Sequence, residues 1–86
     1  MAILAQVSIY PLRQTELTPA IDSALEAFEK YKILFKKGEM STLLEGEPEQ
    51  IFKALQAAFE KADEVGDLTM VITLSNACPF ILPQDK

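Results

Sequence analysis

The run Thr73-Leu74-Ser75-Asn76-Ala77-Cys78-Pro79 gathers two hydroxyls, a carboxamide and the chain's one thiol just before a proline. Hydroxyl and amide groups both donate and accept hydrogen bonds, so this cluster has the chemistry of a polar pocket wall as well as that of an ordinary strand end. Cys78 has no His anywhere in the chain and no nearby cation to favour its thiolate, and it reads as a small hydrophobe rather than a nucleophile. One Cys and no His exclude a disulfide framework, a CxxC redox pair, a His-based triad and the ordinary zinc or copper ligand sets. Glu39, Glu45 and Glu47 bracket one extended run, and paired carboxylates can hydrolyse glycosidic bonds when held at a defined separation. Here they are expected in solvent, with Glu47 before Pro48, where a helix N-terminus favours negative charge. No catalytic residue, metal site or cofactor is expected.

These groups must be positioned by a small number of elements. Ile3 to Tyr10 alternates, with Ile3, Ala5, Val7 and Ile9 on one side and Leu4, Gln6, Ser8 and Tyr10 on the other, and Pro11 ends the strand. Thr18 as N-cap and Pro19 at the first helical position open an amphipathic helix carrying Ile21, Leu25 and Phe28 on its apolar side. Lys32-Ile33-Leu34-Phe35-Lys36-Lys37 reads as an edge strand guarded by lysines. Gly38 breaks it, and Met40 to Glu47 resumes an extended pattern. A second helix runs from Pro48 to about Glu64, with Ile51, Leu55, Ala58, Phe59 and Ala62 on one face and Gly66 as its stop. Leu68 to Ala77 alternates again, Met70, Ile72 and Leu74 against Thr69, Val71, Thr73 and Ser75. The order β-α-β-β-α-β, with right-handed crossovers, predicts an α+β, ferredoxin-like sandwich: a four-stranded antiparallel sheet with two helices on one face.

The chain has 86 residues, read as a single domain over 1–86 with a thin core, for which self-association is a common source of extra stability. A net charge of −5, with eight Lys and Arg spread along the chain, excludes a phosphate-backbone partner, so no nucleic acid is expected. The N-terminal stretch has no basic residue before Arg13 and no long apolar run, and reads as neither signal peptide nor membrane span. The expected location is cytoplasmic.

The sheet face turned away from the helices is expected to carry Gln6, Ser8, Tyr10, Thr69, Thr73 and Ser75, together with Leu4, Val71 and Leu44. That is more apolar surface than a face made only for water would hold, and such a patch marks an interface or a ligand groove. An anion-cradling loop with Arg after the first strand would suggest an acylphosphatase; Arg13 is present but the glycine-rich cradle is not.

Three blocks, Val7 to Leu12 (VSIYPL), Gly38 to Leu55 (GEMSTLLEGEPEQIFKAL) and Thr73 to Pro79 (TLSNACP), resemble in order and spacing a single domain of the thiamine-binding, YkoF-like family. The resemblance implies a protein that binds thiamine or its hydroxymethylpyrimidine moiety without transforming it, as a homodimer or homotetramer. It also implies the matching ligand-binding positions: Ser8 and Tyr10 in the first block, Ser41 and Thr42 in the second, and Ser75, Asn76 and Cys78 in the third. The competing expectation is a structural or regulatory interaction module whose bare sheet face, through Leu4 and Leu44, serves only to pair subunits. An enzyme using Cys78 or the glutamates has the least support, because no general base with a partner can be named.

Overall fold

The computed structural model describes residues 2–77. In order, they form β1 (Ile3–Pro11), α1 (Thr18–Lys30), β2 (Leu34–Lys37), β3 (Thr42–Gly46), α2 (Pro48–Val65) and β4 (Leu68–Ser75). The sheet is antiparallel, in the order β2-β3-β1-β4, so β1 and β3 are central and β2 and β4 are edges. Both helices lie on one face. The expected ferredoxin-like topology is the observed one.

Cross-strand pairing fixes which side chains share a face. Ala5 pairs with Leu44 of β3 and Leu74 of β4, and Val7 with Thr42 and Ile72. These positions, with Phe35 opposite Leu44, form the helix side. The open side carries Leu4, Gln6, Ser8 and Tyr10 of β1, Leu43 and Glu45 of β3, and Thr69, Val71, Thr73 and Ser75 of β4. Leu44, expected on the open face, is therefore a core residue at 0% exposure. Leu43-Leu44 is a run of two leucines, and alternation by itself cannot say which of them points inward. Leu4 is also buried, and so is Glu45, its cross-strand partner, which was expected in solvent.

The helices meet through alanine. Ala20, Ala24 and Ala27 of α1 and Ala54, Ala58 and Ala62 of α2 are all buried, at a spacing that places each set on one stripe. Small side chains let the two backbones approach closely, and the larger groups Phe28, Ile51 and Leu55 fill the space down to the sheet. Having its alanines against α1 rolls α2 so that Phe59, expected on its buried face, is nearly half exposed.

Helix ends follow local chemistry. The N-cap of α1 is Leu17 rather than Thr18, and no side chain caps it; proline occupies the first turn. At the other end Lys32 takes a left-handed conformation (φ 58°) and the Ile33 amide donates to the Phe28 carbonyl at 3.0 Å, the six-to-one bond of a Schellman turn. This turn drops buried Ile33 into the core and delivers the chain to β2. Arg13, also at positive φ (55°), donates to the Asp67 carboxylate at 2.9 Å, and Gln14 Nε2 donates to the Asp67 carbonyl at 2.7 Å. The loop after β1 is thereby tied to the turn before β4, and Arg13 is a strut rather than part of an anion cradle.

Candidate functional site

At one end of the sheet, the last residues of β1, the start of α1 and the β2–β3 turn enclose an open cleft of about 280 Å³. Its apolar lining comes from Val7 and Ile9 of β1 and from Leu17 and Ile21 at the entry to α1. Its polar lining comes from Tyr10, Ser41 and Thr42, with Lys37 and Glu39 supplying one charge of each sign from the turn. A cleft with an apolar lining and a few converging polar groups is the usual form of a small-molecule site, and this one lies near the lower end of the size range.

The turn is held by a constraint that only glycine meets. The Gly38 amide donates to the Ser41 carbonyl at 2.8 Å, and a Cβ on Gly38 would lie 2.9 Å from that same oxygen. Close approach of backbone to backbone, rather than an unusual φ, is what requires glycine here. On the open side, Ser8 Oγ donates to the Met40 carbonyl at 3.4 Å, a long bond that links β1 to the same turn. Thr42 pairs with Val7 and is buried on the helix side, so its hydroxyl belongs to the cleft wall rather than to the open face.

Of the residues expected from the sequence, Tyr10, Ser41 and Thr42 meet in this cleft, and Ser8 braces its turn. Ser75 and Asn76 are elsewhere. Ser75 pairs with Leu4, four residues before Ser8 on β1, which puts it roughly 14 Å away along the strand. Its Oγ accepts the Ala77 amide at 3.1 Å, a local turn at the end of β4. Cys78 lies outside the described residues. Lys37, Glu39, Leu17 and Ile21 had no place in the sequence expectation of a site. Gly38 between two extended runs was the one available signal, since a tight turn there must bring its flanking residues together.

A second and larger cleft, of about 520 Å³, opens between α2 and β4, lined by Phe52, Leu55 and Phe59 on the helix and Met70, Ile72 and Leu74 on the strand. Gln56 and Glu60 are its polar members, and they bond to each other at 3.1 Å. Among the described residues no group of His, Cys, Asp and Glu is placed to hold a metal ion, and no helix is long and apolar enough to cross a membrane.

The model of the YKOF-related family matches residues 2–80 of the chain. A UPF0045 protein of Methanocaldococcus jannaschii is 35% identical over 57 residues, which are 65% of this chain and 57% of that protein, so the match spans little more than half of the relative's length. A crystal structure of the hypothetical protein MJ1052 from the same archaeon superposes with a TM-score of 0.81 at 25% identity, covering 96% of this chain and 88% of that one. A Thermotoga maritima structure, of a proposed thiamine biosynthesis or salvage protein, superposes with a TM-score of 0.77 at 17% identity, covering 86% of this chain and 82% of that one. At that identity it shows a shared fold.

Proposed function

The chain belongs to the YKOF-related family, and from that premise we propose that it is a non-catalytic binding protein for thiamine or its hydroxymethylpyrimidine moiety, working as a homodimer or homotetramer. The role suggested for the Thermotoga relative supports the ligand class. The observation that carries the reading is the cleft at the β2–β3 turn, where Ser41, Thr42 and Tyr10 converge beside an apolar wall.

An aminopyrimidine has an exocyclic amine that donates and ring nitrogens that accept, and hydroxyl groups can answer both. Each such bond contributes about 0.5–1.5 kcal/mol net, so two or three of them supply about 1–4.5 kcal/mol, and burial of the ring against Val7, Ile9 and Tyr10 must supply most of the rest of the about 8 kcal/mol that micromolar affinity requires. Glu39 on the rim suits the cationic thiazolium of intact thiamine. Ser8 acts indirectly, by holding the Met40 carbonyl and so the turn. Ser75, Asn76 and Cys78, which the family resemblance also implies, are not part of this cleft assignment. Nothing in the cleft requires bond making or breaking.

A thermal-shift titration with thiamine and with hydroxymethylpyrimidine tests the reading. Ligand at a hundred times its dissociation constant stabilises the folded state by about 2.7 kcal/mol, which for a domain of this size is a rise of roughly 10–20 °C. Thr42→Val is expected to fold and lose that response, while Ser75→Ala keeps it. A Thr42→Val protein that responds like the parent would place the ligand elsewhere.

A further inference from the structure

Side chains that line the cleft at the β2–β3 turn hold hydrogen-bonding capacity that the chain itself does not use. Thr42 is only 7% exposed and lines the cleft, yet its hydroxyl makes no hydrogen bond among the described residues. Buried hydroxyls are normally bonded, so this one points to a partner from outside the chain. Ser41 beside it engages its carbonyl with the Gly38 amide and leaves its hydroxyl unbonded among the same residues. Lys37 pairs with Thr42 and lies two residues beyond Phe35, hence on the same helix side, and its ammonium makes no ion pair among the described residues. The start of α1 opens on the same cleft through Leu17 and Ile21. This helix of 13 residues has no side-chain cap and no acidic residue in its first turn, so the positive end of its dipole is uncompensated there.

We propose that this polar end of the cleft is an oxyanion subsite, and that the ligand the protein prefers carries a phosphate monoester. This rests on the cleft being the small-molecule site of the proposed function, and it names a group that the ligand bears. On hydroxymethylpyrimidine the phosphate is an ester of the hydroxymethyl oxygen, with the ring against Val7 and Ile9.

The donor set favours phosphate over carboxylate. A lysine ammonium, two hydroxyls and the N–H groups of a helix start all donate, and three terminal phosphoryl oxygens take up more such bonds than two carboxylate oxygens. A hydroxyl that donates to phosphate keeps lone pairs for the exocyclic amine of the ring, so Ser41 and Thr42 serve both groups. Glu39 opposes an anion, but it is exposed on the turn, where water weakens its field. Its presence makes the sign of the effect testable, since its removal favours a phosphate and disfavours the cationic thiazolium.

The test is calorimetric titration of hydroxymethylpyrimidine, its phosphate monoester and inorganic phosphate into the parent chain, Lys37→Gln and Glu39→Gln, at low and high salt. Both replaced side chains are exposed, and circular dichroism checks that each variant folds. In the parent the ester is expected to bind roughly ten- to a hundredfold more tightly than the alcohol, an advantage that shrinks as salt is raised. Lys37→Gln is expected to cut that preference roughly tenfold, a change in the ratio of two affinities that a merely structural defect does not produce, and Glu39→Gln to increase it. An ester that binds no better than the alcohol, or a preference that Lys37→Gln leaves intact, would overturn the proposal. If the alcohol binds and the ester has no advantage, the subsite alone is refuted. If the alcohol does not bind while the ester and inorganic phosphate bind equally and through Lys37, the subsite stands and the pyrimidine reading falls. Failure of all three ligands to bind overturns both.

Discussion

On the β2 flank of the sandwich the core is closed, and on the β4 flank it is open. Phe35 of β2 sits with its ring 5.8 Å from that of fully buried Phe28, and Ile33, dropped in by the Lys32 turn, seals the gap beneath α1. Across the sheet, Ile72 and Leu74 project to the same side as Leu44 but meet no such ring, because the alanine stripe draws α2 toward α1 and leaves Phe52 and Phe59 overhanging. One face of one sheet is therefore core at one edge and available surface at the other. The choice of small residues between the helices, more than the hydrophobicity of the strands, decides where the core stops.

The contrast can be broken most severely from its closed side. Phe28→Ala empties the space between α1, Phe35 and the sheet, and is expected to cost about 3–5 kcal/mol, a large share of the stability of a small domain, read as a lower midpoint in urea. Ala58→Leu attacks the cause of the asymmetry by forcing α2 away from α1. Overpacking there is expected to cost about 1–3 kcal/mol in the same measurement, and a neutral result would mean that α2 is free to roll over β4. Phe52→Gln, on the open side, is expected to change the unfolding energy by no more than about 1 kcal/mol, since about half of the side chain is already in water. A loss as large as that of Phe28→Ala would show that the flank is closed within the single chain.

Much of this arrangement is legible in the residues. The alternation in β1 and β4, the prolines at the start of both helices and Gly66 at the end of α2 place the elements nearly where they are found. The failures have physical causes. Leu43-Leu44 offers two equal candidates for one inward position, and only pairing of Leu44 with Ala5 settles it. α2 has apolar residues at 51, 52, 54, 55, 57, 58, 59 and 62, too broad a band for one stripe, so the sequence cannot tell which part of it meets α1 and which is left over. Ser41 and Thr42 could be named from family resemblance, yet beyond their own turn their neighbours in the cleft come from β1 and the entry to α1, both distant in the chain. The long α2–β4 cleft was illegible for the same reason: Met70, Ile72 and Leu74 read as core, and whether a helix covers them is a matter of tertiary packing.

The two clefts also differ in chemistry. The small mixed cleft beside the β2–β3 turn has hydroxyls and both signs of charge, as recognition of a polar heterocycle requires, while the larger one is lined mainly by apolar side chains. The most direct measurement is calorimetric titration of hydroxymethylpyrimidine into the parent protein and into a folded Ser41→Ala, Thr42→Val double variant. The account predicts saturable binding of about micromolar affinity in the parent and none detectable in the variant. No heat of binding in the parent, or equal binding by both proteins, would contradict it.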